Sequence, residues 1–396
     1  MEVTPGKLRR IALDRQGLLK REPFGRGKRA TLKAIEQLGY VQIDTISVVE
    51  RAHNHVLRAR VPNYESHHID KLQREGRIFE YWFHAAAYLP MRDFRFALPR
   101  MHAMRSGEAR WLRSRDQKLM REVLATVRDT GPLKARDFED TRRNRGGWWD
   151  WKPAKSALEQ LFMQGDLMVT GREGFQKIYD LTERVLPADT DMRTPDDREM
   201  AQYLLETSIR AHGFADKKSI THLRRGTALR GALKEAIDAA CASGALVSLT
   251  LQNGDLVYAD PRALAQRAPA APASVKLLSP FDNAVILRER GQAVFDYDYP
   301  MECYVTEAER RFGYFCLPIL YKDRFIGRAD CKAHRKQGRF EVKALYIEHA
   351  PNRRKVDSEV AAALERALWE FADFNGCQTL EYTAVSPANW QAALGR

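Results

Sequence analysis

Gly39-Tyr40-Val41-Gln42-Ile43-Asp44-Thr45-Ile46 decides how the chain is read. Before it, Leu32, Ile35 and Leu38 recur at helical spacing behind Thr31, a residue suited to capping, and Gly39 is a natural helix stop. Tyr40 to Ile43 read as extended. A second helical pattern opens at Asp44 or Thr45 and carries Ile46, Val49, His53, Val56 and Leu57. Alternate side chains of an extended segment share a face. Val41 and Ile43 are therefore expected in a core, with Gln42 and Asp44 pointing together into a cleft.

The neighbouring sequence supplies a plan. A basic helix is expected over 7–21, and a Pro/Gly loop at 22–28. From 116 to 186 the order is a helix (Leu119 to Val127), Gly131-Pro132-Leu133, a short segment (Ala135 to Asp140) and a helix with Ala157, Leu158, Leu161 and Phe162. Two strands follow, Leu167 to Thr170 and Gln176 to Leu181, closing on Gly171-Arg172-Glu173-Gly174. Helix, helix, helix, hairpin is the order of a winged helix-turn-helix. It recurs with helices at 199–211, 218–224 and 233–243, and with strands at 246–251 and 255–259 joined by Gln252-Asn253-Gly254. The first hundred residues fit a looser version, which suggests internal repetition at about 70 residues.

Residues 262–275 form an Ala/Pro linker. Beyond it the texture turns to β, with strands expected at 275–278, 294–297, 313–321, 324–332, 339–347 and near 379–383, and an amphipathic helix at 358–371. The expected fold class is α+β, with limits at 1–115, 116–187, 195–262 and 275–396: three tandem winged helix-turn-helix domains and a C-terminal β-barrel-like domain.

Composition narrows the function. The formal net charge is +13, and residues 1–60 alone hold 13 Lys/Arg against 6 Asp/Glu. That excess favours a polyanionic partner, most simply nucleic acid. No run of about 18 apolar residues exists, so no membrane span is expected. Residues 1–6 lack the apolar core of a signal peptide. The five cysteines are scattered without CxxC spacing, which argues against zinc and disulfides and for a reducing cytoplasm. His53 and His55 lie two apart and His67 and His68 are adjacent, whereas a helical metal site wants i, i+4. No metal and no cofactor are expected.

Gln42-Ile43-Asp44-Thr45-Ile46, followed by Glu50-Arg51-Ala52-His53, resembles the AlkZ-like DNA glycosylases, closest to the YcaQ branch. Residues 80–90 (Glu-Tyr-Trp-Phe-His-Ala-Ala-Ala-Tyr-Leu-Pro), Leu278-Ser279-Pro280-Phe281-Asp282-Asn283, Tyr297 to Tyr304 and Gly313 to Tyr321 agree, so the resemblance spans nearly the whole chain. Ala85 departs from it, since an acidic residue is expected there after the histidine, and this weakens any catalytic role for His84. The resemblance implies a C-shaped basic channel and excision of N7-alkylated guanine, including the unhooking of interstrand crosslinks. Its motif is QxQ in one branch and QxD in the other; Gln42-x-Asp44 belongs with the second.

Within that frame Asp44 is the expected catalytic carboxylate, and Gln42 orients water or lesion. The competing role for Asp44 is an N-cap of the following helix. Candidate DNA contacts are Arg51, His53, the wing residue Arg172, and Arg142, Arg143 and Arg145, which interleave with Trp148, Trp149 and Trp151. Asp282 is expected to approach the site or, more simply, to cap a turn. The expected partner is double-stranded DNA carrying an alkylated purine or a crosslink, bound by a monomer at the cytoplasmic nucleoid. The alternatives are a winged-helix transcriptional regulator without catalysis, and an architectural duplex clamp.

Overall fold

The computed structural model describes residues 3–109, 116–138, 153–224, 226–348 and 356–394. They form two compact units, one of residues 1–65 with 201–396 and one of 66–200. The first expected segment, 1–115, is thus divided between the two.

The unit 66–200 opens with the helix His67–Arg74 and the antiparallel hairpin of Ile78–Trp82 with Ala86–Pro90. Helix Gln117–Thr130 begins where Asp116 Oδ1 accepts the Leu119 N–H at 2.9 Å. It buries Met120, Val123 and Val127, a three-to-four spacing that gives one apolar stripe. Strand Leu133–Lys134, helix Pro153–Gln164 and strands Leu167–Glu173 and Gln176–Leu181 complete the plan. The strand 176–181 lies between the other two.

The other unit repeats that strand order. After helix Asp197–His212, whose residues from Ala201 belong to it, come strand Phe214–Ala215, helices Lys217–Ile220 and Thr227–Ala242, and strands Val247–Thr250 and Leu256–Ala259. The last of these strands is again central. Earlier in the chain come helices Pro5–Arg15 and Gly27–Leu38, strand Val41–Gln42 and helix Ala52–Arg58. Their apolar residues enter cores built mostly by the C-terminal half. Leu8, Ile11 and Leu13 join Phe214, Leu278 and Phe295, while Val49 and Ala52 join Phe281, Phe315 and Leu364.

That C-terminal half is a curled six-stranded sheet. Strands Val275–Leu277, Cys316–Tyr321, Arg324–His334 and Arg339–Ile347 pair antiparallel; Thr379–Tyr382 and Val385–Ser386 run parallel to the last of them. Helix Ser358–Phe374 covers it with Val360, Leu364, Leu368 and Phe371. The strand path runs open from 275–277 to 379–382 among the described residues, so a closed barrel is not seen.

Two further expectations are corrected. Residues 294–297 are not a strand: Arg288–Phe295 is a helix, burying Arg290, Gly291, Val294 and Phe295 at helical spacing and stopped by Asp296 at φ 52. Likewise no helix opens at Asp44 or Thr45. Residues 43–51 are irregular, and the helix begins at Ala52. No helix among the described residues is long and apolar enough to cross a membrane.

Candidate active site

The quoted stretch is shaped by what it meets. Gly39 closes the helix Gly27–Leu38 with φ 80, donating its N–H to Ile35 O at 2.9 Å. A side chain there would collide with Thr207 Cγ2. Tyr40 O then accepts from Asn283 Nδ2 at 3.1 Å, which ties the strand to the Ser279-Pro280-Phe281-Asp282-Asn283 segment. Asp282 caps a turn by accepting the Ala284 N–H on Oδ1 at 2.9 Å, and its carboxylate also holds Arg60.

Beyond Ile43 the backbone is claimed by the sheet. Val48 O accepts the Ala333 N–H at 2.8 Å, and Ser47 O accepts from Arg335 Nη1 at 3.1 Å. These remote contacts fasten residues 47 and 48 to the C-terminal half in an irregular conformation, in place of the expected helix. Asp44 reinforces the irregularity, since Oδ1 accepts the Ile46 N–H at 2.6 Å.

This is the carboxylate's one hydrogen bond among the described residues, and it leaves Oδ2 uncommitted. Asp44 is half-buried. Burial raises its pKa above the ordinary carboxylate value, offset in part by the Ile46 N–H and by the charge of Arg51. Gln42 is buried at 6 % exposure, so Val41, Gln42 and Ile43 are all covered and the alternation expected of this strand is incomplete.

A loop from the C-terminal half lies within electrostatic reach. Burial, joined by the charge of Asp44, pushes the Cys303 thiol up to about 11. The Tyr304 residue is largely exposed, and partial desolvation of its phenol, with Cys303 and Asp44, raises the pKa while Arg288 acts against them. Sequence reasoning assigned no chemistry to Cys303 or Tyr304, although both lie in the quoted stretch Tyr297 to Tyr304.

The other expected site residues fare differently. Arg51 is half-buried, its N–H donated to Glu50 Oε1 at 2.9 Å, and its charge is felt at Asp44. His53 is buried, at 6 % exposure. His55 is buried as well. Its Nε2 lies 2.9 Å from Leu277 O, and desolvation pulls its pKa down to about 4.

Arg172 lies near the tip of the hairpin Leu167–Glu173 with Gln176–Leu181, and its side chain is mostly covered. It forms a double hydrogen bond with Glu80 at 3.0 and 2.8 Å, donates to Phe175 O at 2.8 Å and stacks over the Phe175 ring. Glu80 is 1 % exposed, so the pair is an internal brace of the unit 66–200. Arg142, Arg143 and Arg145, with Trp148, Trp149 and Trp151, lie outside the described residues. Among the described residues no group of three or more His, Cys, Asp or Glu converges as a metal site would.

A sequence profile of the family described as DNA glycosylase AlkZ-like matches residues 35–374. The DNA glycosylase AlkZ of Streptomyces sahachiroi is similar in structure, with a TM-score of 0.63 at 16 % identity over 97 % of this chain and 100 % of that one. At that identity the likeness speaks for the fold, while the profile covers the Gln42-x-Asp44 stretch and the sheet strands from Val275 to Ile347. The chain belongs to the AlkZ-like family and is a DNA glycosylase.

Proposed function

We propose that this enzyme hydrolyses the N-glycosidic bond of N7-alkylated guanine in double-stranded DNA, with Asp44 as the group that acts on water and sugar. The observation that carries the proposal is the state of that carboxylate. One oxygen is fixed by the Ile46 N–H, the other is uncommitted, and half-burial raises its basicity.

Alkylation at N7 makes guanine cationic and a good leaving group. The remaining work is to stabilise positive charge growing on the sugar and to deliver water. A fixed carboxylate does both: its charge faces the developing oxocarbenium, and its free oxygen takes the proton of the attacking water. The water oxygen bonds to C1′, the C1′–N9 pair leaves with the base, and the base departs neutral. Gln42, two residues earlier, is assigned the orientation of water or lesion by its amide. No lysine lies in the 39–46 stretch to form a Schiff base, which supports a monofunctional enzyme.

The same reading extends to interstrand crosslinks. A base tethered to the opposite strand cannot be drawn into a closed pocket, so the lesion would react near the stack. The two segments with a central third strand, and the helix, strand, helix, helix, hairpin order over 27–90, are read as three winged helices that hold the duplex. A monomer acting at the nucleoid completes the proposal.

The test is a duplex with a single N7-methylguanine. Wild-type protein should release the base and leave an abasic site. Asp44→Asn keeps an acceptor for the Ile46 N–H, so it should bind the duplex within about three-fold while excision falls by roughly 10²–10⁴-fold. Excision by Asp44→Asn near the wild-type rate would remove Asp44 from the mechanism.

A further inference from the structure

Tyr304 is 75 % exposed, and Val305 beside it is 39 % exposed. Among the described residues the Tyr304 side chain has no hydrogen bond and no ring or ion-pair partner, so nothing local explains why an aromatic ring stands in solvent. Its loop, by contrast, is firmly built. Glu302 is 9 % exposed, and its carboxylate accepts the backbone N–H groups of Arg311, Phe312 and Gly313 at 2.7, 2.8 and 3.0 Å, closing the loop at its base. Within the loop Thr306 Oγ1 donates to Glu309 Oε2 at 2.8 Å, and Arg310 Nε donates to Val305 O at 3.2 Å. Tyr304 closes the 3₁₀ turn Glu302–Tyr304 on this frame. A ring held out by a rigid loop has little freedom still to lose on binding.

The ring also has an address. Met301 and Cys303, just before Tyr304, pack against the same core cluster as Ile46 and Val48, just after Asp44, and the charges of Asp44 and Arg288 act on both the Cys303 thiol and the Tyr304 phenol. An undamaged guanine is neutral, whereas an N7-alkylguanine spreads a positive charge over its purine. The face of a phenol ring attracts such a cation. From these observations we infer that Tyr304 is a specificity-determining residue, presenting its ring to the cationic base next to Asp44 and so separating alkylated from unmodified purine.

The inference rests on the N7-alkylguanine reading and adds a constraint to it. Cleavage moves the positive charge from base to sugar, so the attraction is strongest before reaction and gone in the product. Tyr304 therefore holds the bound lesion more tightly than its transition state: it contributes affinity for the lesion, gives no acceleration to the bound complex, and does not hold back the neutral base after cleavage.

The experiment compares two duplexes of one sequence. One carries N7-methyl-2′-fluoroarabinoguanine, a cation slow to cleave; the other carries 7-methyl-7-deazaguanine, its neutral isostere. Wild-type protein should prefer the cation. Tyr304→Phe should keep the preference, and Tyr304→Leu should reduce it by about two- to five-fold. On cleavable N7-methylguanine, Tyr304→Leu should raise the half-saturating concentration, with the saturated single-turnover rate equal to wild type or modestly faster. A preference unaltered in Tyr304→Leu, or lost equally in Tyr304→Phe, overturns the assignment. Failure of wild-type protein to excise N7-methylguanine would instead remove the broader proposal, so the two outcomes are separable.

Discussion

The guanidinium of Arg60 and the carboxylate of Asp282 meet in two hydrogen bonds, Nη1 to Oδ2 at 2.8 Å and Nη2 to Oδ1 at 2.9 Å, and neither side chain has any exposure. Arg60 spends its other donors on Gln16 O at 2.7 Å, Val56 O at 2.9 Å and Gln16 Oε1 at 3.2 Å. The residue after Asp282 binds Tyr40 O, so the ion pair stands directly behind the strand that leads to Asp44.

Removing one member leaves a buried charge without its partner. Asp282→Ala should cost roughly 3–5 kcal/mol in urea unfolding. Replacing both residues with leucine should recover part of that loss, because the desolvation penalty goes with the charges. A double variant as unstable as the single one would mean that the pair fixes geometry that packing cannot supply.

Acidity should act on Asp44 in a stated direction. Its carboxyl titrates above the ordinary carboxylate value because burial disfavours the ionised form. The base form is lost as pH falls through that raised value, so single-turnover excision should decline with a limiting slope of one and level off above it. Stability has the opposite sign. The folded state holds this proton more tightly than the unfolded chain, so the group costs stability as pH rises past its unfolded pKa. Asp44→Asn should therefore melt higher than wild type at neutral pH, and the gap should close in acid.

Arg172 and the Arg142, Arg143, Arg145 cluster should part company in binding assays. Arg172→Ala removes the brace on Glu80 and should cost up to about 3 kcal/mol, softened by Lys177 Nζ at 3.7 Å from Glu80 Oε1. Its DNA affinity and salt slope should stay as in wild type. Alanine at all three arginines of the cluster should instead flatten the salt dependence, by about 0.9 for each phosphate that the variant no longer neutralises.

Gly313 is a point of tight tolerance. Its φ of 145 lies where side chains are strained, and a Cβ would strike the Asp330 carboxylate. Gly313→Ala should loosen the loop that Glu302 closes, at a cost of about 1–3 kcal/mol. Lesion affinity should fall with it, measured against the cationic analogue.

Much of this architecture is local and so could be read from the chain. Gly39 announces its helix end by needing positive φ, and the amphipathic spacing of Met120, Val123 and Val127 reports a helix whatever surrounds it. What escaped reading depends on remote partners. Ser47 is held by a residue 288 positions away, and Arg172 by one 92 positions away. No periodicity in the sequence encodes either interaction. Asp44 was legible as a candidate by motif, while its uncommitted oxygen follows from a turn that only the irregular backbone allows.

The order of synthesis gives the division of the chain a further meaning. The stretch that carries Gln42 and Asp44 leaves the ribosome early, yet its supports at Asn283, Ala333 and Arg335 are translated some 240 to 290 residues later. Residues 66–200 can condense in the interval, since they form a compact unit of their own. The carboxylate is then a first-made part in a last-finished setting. A nascent or truncated chain lacks the frame that holds Asp44, and competence for cleavage arrives only with the closing strands of the sheet.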